Sequence, residues 1–89
     1  MKHKEMLAKF IKESRIEAGL TQEELATALG YSTPQFISNW ERGVSQPPVN
    51  TLILLARLLE VNKDELCSLL LAMKIEELTE DFKKKVKMK

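Results

Sequence analysis

An all-α architecture of five short helices with a helical extension is what this sequence predicts, on three observations. Its only glycines, Gly19, Gly30 and Gly43, each stand directly behind a segment whose apolar residues recur at helical spacing, where a helix end wants a left-handed residue. Thr21, Thr33 and Asn62, all good N-caps, stand directly in front of such segments. No stretch alternates apolar and polar residues with the two-residue period of a strand.

The first helix is expected over about residues 4–18, with Leu7, Phe10, Ile11 and Ala18 on one side. The second starts at Thr21, which forms a capping box with Glu24, while Leu20 and Leu25 occupy the two positions of a hydrophobic staple. Leu25, Ala26 and Leu29 face the core, and Gly30 stops the helix after barely two turns. The third opens with Thr33 as cap and Pro34 at the first helical position, where a missing N–H costs nothing. Ile37 and Trp40 point inward and Gly43 ends it; Pro47 and Pro48 then hold a loop.

The fourth helix is expected over about residues 49–60, with Leu52, Leu55, Ala56 and Leu59 inward. Asn62 caps the fifth, with Glu65 placed to reach back and Val61 and Leu66 repeating the staple. From Leu66 to Met73 this helix is apolar almost all round; beyond that the pattern narrows to Leu71, Ile75, Leu78 and Phe82, at spacings of four, three and four.

With 89 residues the chain is one compact unit, of ordinary composition for a soluble globular protein. The N-terminus carries no secretory signal, and no apolar run approaches the ~20 residues of a membrane helix, so a cytoplasmic place with no membrane contact is expected. Cys67, the single cysteine, has no disulfide partner and sits among leucines, which reads as a small buried hydrophobe. His3 is the only histidine. With no nucleophile–histidine constellation, no metal cluster and carboxylates that capping explains, the expectation is no enzyme, no cofactor and no metal. Charge is uneven: Lys83, Lys84, Lys85, Lys87 and Lys89 give the last seven residues +5, leaving −4 on the rest of a chain whose net charge is +1. Such a tail either touches phosphates or is a frayed, solvated end, and the second reading is preferred.

The order and spacing of these features carry a resemblance. The segment from Ala18 to Ala26, reading AGLTQEELA, resembles the opening of the helix-turn-helix in the Cro/phage-repressor family. Ile37 to Gly43, reading ISNWERG, is similar to the close of that family's recognition helix, and Leu52–Leu59 with Asp64–Leu66 resemble its fourth and fifth helices. The match spans about residues 7–70. It implies a five-helix lambda-repressor-like DNA-binding domain over residues 4–70, followed by a C-terminal helical extension over 71–89. Two departures stand out: one extra residue between Gly30 and Gly43, and Trp40 where a smaller aliphatic is usual.

In this motif the third helix lies in the major groove and the second abuts the phosphate backbone. Gln22, at the first turn of helix 2, is placed for a phosphate. Gln35 and Asn39 lie four apart on one face of helix 3, and side-chain amides match the donor–acceptor pair of adenine. By the resemblance they occupy base-reading positions, flanked by Thr33, Ser38 and Arg42. Residue by residue there are plainer readings: Gln35 as a cap partner for Ser32, Asn39 as a solvated amide. Phe36 either packs on Tyr31, which is preferred, or touches a thymine methyl. The resemblance also implies a paired Arg15 and Glu41 joining helix 1 to helix 3.

The expected function is therefore a sequence-specific transcriptional regulator, in the sense of a repressor, with double-stranded DNA as partner. The rival is a protein-interaction module on the same fold, an antirepressor or adaptor. Residues 21–48 favour the rival: Arg42 stands alone against Glu23, Glu24 and Glu41, a net −2 where phosphate binding wants cations, which on the DNA reading come from Arg42, helix N-termini, lysines of helix 1 such as Lys9 and Lys12, and the tail. The apolar positions at 71, 75, 78 and 82 either join two copies as a homodimer, the preferred reading, or fold back on the chain's own surface.

Overall fold

The computed structural model describes residues 2–87, the last two by backbone alone. Five α-helices form around one core: α1 (Lys2–Glu17), α2 (Gln22–Ala28), α3 (Gln35–Glu41), α4 (Leu52–Leu59) and α5 (Lys63–Lys87), with a single 3₁₀ turn at Val49–Thr51 leading into α4. The described residues contain no strand.

The ends of these helices follow from their sequence. Thr21 Oγ1 accepts from the Glu24 N–H at 3.0 Å, and Glu24 Oε1 accepts from the Thr21 N–H at 2.8 Å, the complete capping box. Asn62 Oδ1 accepts from the N–H groups of Asp64 and Glu65, capping α5. Helices α1, α2 and α3 end alike: the N–H beyond each glycine reaches back five residues, Leu20 to Arg15, Tyr31 to Ala26 and Val44 to Asn39. That closure needs a positive φ, and Gly19, Gly30 and Gly43 supply it at 77°, 90° and 73°. Helix α4 ends in the same way through Val61 to Ala56, but with Glu60 at φ 58° in the glycine's place.

The core joins Leu7 and Ile11 of α1, Leu25 and Ala26 of α2, Ile37 and Trp40 of α3, Leu52, Leu55, Ala56 and Leu59 of α4, and Leu66, Leu70 and Met73 of α5. Trp40 is buried where a smaller residue was the comparison, so its volume fills the core. Ser14, not expected inside, is buried on α1.

Three expectations are corrected. Cys67 is exposed, because an all-round apolar stretch gives no phase and only Leu66, Leu70 and Met73 turn fully inward. The 49–60 helix begins as the 3₁₀ turn and becomes α-helical only at Leu52, since the chain leaves Pro48 in an extended conformation. The lysine-rich end is not frayed where it is described: Lys83, Lys84 and Lys85 lie on α5, which runs unbroken past residue 70. Lys87 is described by backbone alone and Lys89 lies outside the described residues. No helix among the described residues is long and apolar enough to cross a membrane.

Candidate nucleic-acid interface

Helix α3 is seated from three directions. At its start, the Thr33 hydroxyl accepts from the Gln35 N–H at 3.3 Å, with Pro34 between them as the first turn begins. Pro34 is assigned just outside the helix, yet its carbonyl already accepts from the Ser38 N–H at 3.0 Å. Beside the helix, the Tyr31 ring stacks at a tilt on Phe36, centroids 4.7 Å apart, and meets Trp40 edge-on at 5.9 Å. Tyr31, directly after Gly30, thus joins an exposed ring to a buried one. Phe36 takes the packing role while half its surface stays open.

At the far end Arg15 and Glu41 lock α3 to α1. Arg15 Nε and a terminal nitrogen donate to the two oxygens of Glu41 at 2.6 and 3.1 Å, a forked pair whose side chains are 11% and 3% exposed. A further Arg15 nitrogen donates to the Leu20 carbonyl at 2.7 Å, and Gln22 Nε2 donates to Glu41 Oε1 at 3.0 Å. One carboxylate therefore ties together α1, the start of α2 and the end of α3. The angle between α2 and α3 is set by buried charge as well as by the apolar core.

The outward face of α3 carries a linked trio. Gln35 Nε2 donates to Asn39 Oδ1 at 3.0 Å, and an Arg42 terminal nitrogen donates to the same oxygen at 2.6 Å. Asn39 Oδ1 has two lone pairs, and both are engaged. Gln35 keeps its Oε1 and one hydrogen of Nε2, an acceptor and a donor side by side. The plainer reading of Gln35, as a cap partner for Ser32, differs from what is seen: its amide turns to Asn39 instead. Ser38 and Asn39 are half-buried on this face, and Thr33, Gln35 and Arg42 are exposed.

Positive charge reaches the end of α3 from α1. An open depression of about 620 Å³ is lined by Lys4, Lys9 and Lys12 together with Arg42, Gly43 and Val44; Glu5 and Glu41 also line it. Glu41 is already neutralised by Arg15, so the depression carries an excess of cations. The sequence pointed to Lys9 and Lys12 but missed Lys4, which was legible: residues 4, 8 and 12 recur along one helix face. Gln22 stands at the first turn of α2 with one amide hydrogen spent on Glu41.

A family model described as helix-turn-helix matches residues 11–66. No curated protein matches the chain. Among solved structures, the crystal structure of the clp gene regulator ClgR from Corynebacterium glutamicum is similar at 23% identity and a TM-score of 0.64, over 92% of this chain and 87% of that one. At that identity the likeness is one of fold.

Proposed function

The chain belongs to the helix-turn-helix family, and from that membership we propose that it is a DNA-binding transcriptional regulator that reads the major groove with α3. The observation that carries this reading is the outward trio of α3. Gln35 retains the adjacent donor and acceptor that adenine N7 and N6 require, and it is held in place by Asn39, which Arg42 holds in turn. Gln35 is the base reader; Asn39 chiefly orients it and lends its own amide hydrogens. Arg42, Thr33, Ser38 and Gln22 contact the backbone, with Lys4, Lys9 and Lys12 adding phosphate charge at the end of α3.

That cationic depression answers the acidity of residues 21–48: the missing charge comes from another helix. The clp gene regulator of similar fold agrees with a regulatory, non-enzymatic role. The sense of regulation we propose is repression, in which α3 seated in the groove excludes other proteins from the same site. Residues 4–70 carry the DNA contacts, and the extension from residue 71 joins two copies into a homodimer, so the preferred site is a rough palindrome.

Selection of bound sites from a random duplex pool tests this. The protein should enrich an adenine-bearing half-site. Gln35→Ala should relax one base pair at a cost of about 1–3 kcal/mol, and Asn39→Ala should blur the same base pair by releasing Gln35. Failure to enrich any motif would leave the protein-interaction module as the function.

A further inference from the structure

Four large apolar side chains of α5 stand open in a row: Leu71, Ile75, Leu78 and Phe82, each between 54% and 68% exposed. They do not fold back over the chain's own surface. Their four-three-four spacing is that of the inner positions of paired helices. What covers them is written in the residues around them.

We infer that the occupant is a second copy of α5, paired antiparallel about a two-fold axis between Glu76 and Glu77. The inference rests on the homodimer named in the proposed function and fixes its direction and register. In this arrangement Leu71 faces the partner's Phe82 and Ile75 faces the partner's Leu78, so every apolar position of one copy meets one of the other. One step further out along the same row, the inner position is Ser68 on one side and Lys85 on the other. The antiparallel pairing sets Lys85 against the partner's Ser68, whereas a parallel pairing drives Lys85 against the partner's Lys85. The flanking positions agree. Lys74 and Asp81, both exposed, come within reach of each other across the antiparallel interface, twice by symmetry. Run parallel, the helices leave both charges without an opposite. Opposite charges favour one direction and like charges penalise the other, and direction of pairing is what such flanking residues decide.

The interface itself is small, below the roughly 800 Å² per partner of a standard stable complex, so dissociation in the micromolar range is expected in the absence of DNA.

Cross-linking of the full chain tests direction and register, in a Cys67→Ser background that the exposure of Cys67 permits. Leu71→Cys and Phe82→Cys proteins, mixed under a mild oxidant, should give the mixed disulfide dimer. Leu71→Cys alone should not link to itself, because those two positions lie about 16 Å apart and a disulfide needs Cα atoms within about 7 Å. Self-linking of Leu71→Cys, or no link in the mixture, would overturn the pairing. Sedimentation supplies a second readout. Leu78→Lys should be monomeric at concentrations where the unaltered chain is dimeric, with unchanged helicity because the side chain is exposed. A Leu78→Lys dimer, or an unaltered chain that stays monomeric at high concentration, overturns the inference. A monomer that still enriches a half-site would defeat the pairing and spare the DNA reading; a cross-linked dimer that enriches nothing would do the reverse.

Discussion

Arg15 and Glu41 show how one pair of side chains can govern a whole motif. Their forked contact is nearly closed to solvent, and Glu41 also holds Gln22 while Arg15 holds the Leu20 carbonyl. Removing one partner leaves the other charge buried without its counter-ion. Arg15→Ala should therefore cost about 3–5 kcal/mol, a drop in Tm well over 10 °C in thermal denaturation. The double change Arg15→Met with Glu41→Leu should cost much less, since it leaves no stranded charge. An Arg15→Ala protein that melts with the unaltered one would show the pair to be idle. A second pair behaves differently. His3 Nδ1 lies 2.7 Å from Glu76 Oε2, and the His3 N–H donates to Glu76 Oε1 at 3.3 Å, joining the start of α1 to α5. The hydrogen bond from the His3 side chain, outweighing some desolvation, holds the Glu76 carboxyl below its ordinary 4.5. A carboxylate depressed in the folded state adds stability above its unfolded value and loses it as pH falls through the folded one. The stability difference between the unaltered chain and His3→Ala should thus be present at neutral pH and vanish in acid below 4.5. Carboxyl titration by NMR should place the Glu76 midpoint below that value, and His3→Ala should return it; a midpoint unmoved by the substitution refutes the coupling.

Among the elements, the ends of α1 to α4 share one closure and differ in one residue. Glycine takes the left-handed position after α1, α2 and α3, and Glu60 takes it after α4. A residue with a Cβ pays about 1–2 kcal/mol there, and glycine returns part of that in unfolded-state entropy. Glu60→Gly should therefore stabilise the chain by roughly 0.5–1 kcal/mol, raising Tm by a few degrees. An unchanged or lowered Tm would mean that Glu60 makes up the strain by other means. This end also marks where the sequence stops being legible. Glycines, caps and staples announce helix ends by chemistry that is local, and the ends of α1, α2 and α3 and the start of α5 were readable from them. Glu60 carries no such signal, so the boundary there could be placed only by the phase of the leucines before it. Faces follow the same rule. Where apolar residues recur with a clear period, as at Leu52, Leu55, Ala56 and Leu59, burial was readable. From Leu66 to Met73 the period is lost, so Cys67 was misplaced. At the site, the residue types on α3 and the pairing of Arg15 with Glu41 came with the family resemblance. The bonding from Gln35 through Asn39 to Arg42, and the seating of the α1 lysines beside Arg42 in one depression, depend on three-dimensional placement and became visible only there.

For the whole molecule, the division between a core closed by Met73 and an open apolar row beyond it separates stability from assembly. Met73 is fully buried, and the described residues from Lys74 onward add no side chain to the core. Their contact with the rest of the chain includes the His3–Glu76 pair, which is partly exposed and so worth little. A chain ending at Met73 should accordingly keep its helical fold and α3 with its Gln35, while losing the element that joins two copies. Joining two weak readers on one duplex makes the second contact intramolecular, and such linkage commonly gains 10²–10⁴ in apparent affinity, about 3–5 kcal/mol. Selection with the truncated chain should then return a single half-site in place of two half-sites centred about 34 Å apart, with affinity lower by at least roughly a hundredfold. The salt dependence should flatten in step, because the number of phosphates met per binding event is halved, and the slope scales with that number at about 0.9 per phosphate. Arg42→Ala in the full chain offers the contrast: it should flatten the slope by about two phosphates per dimer while both half-sites remain in the selected motif. If the truncated chain instead selects the full palindrome with undiminished affinity, pairing does not depend on the row from Leu71 to Phe82, and two α3 helices must be brought together by the DNA or by another face of the core.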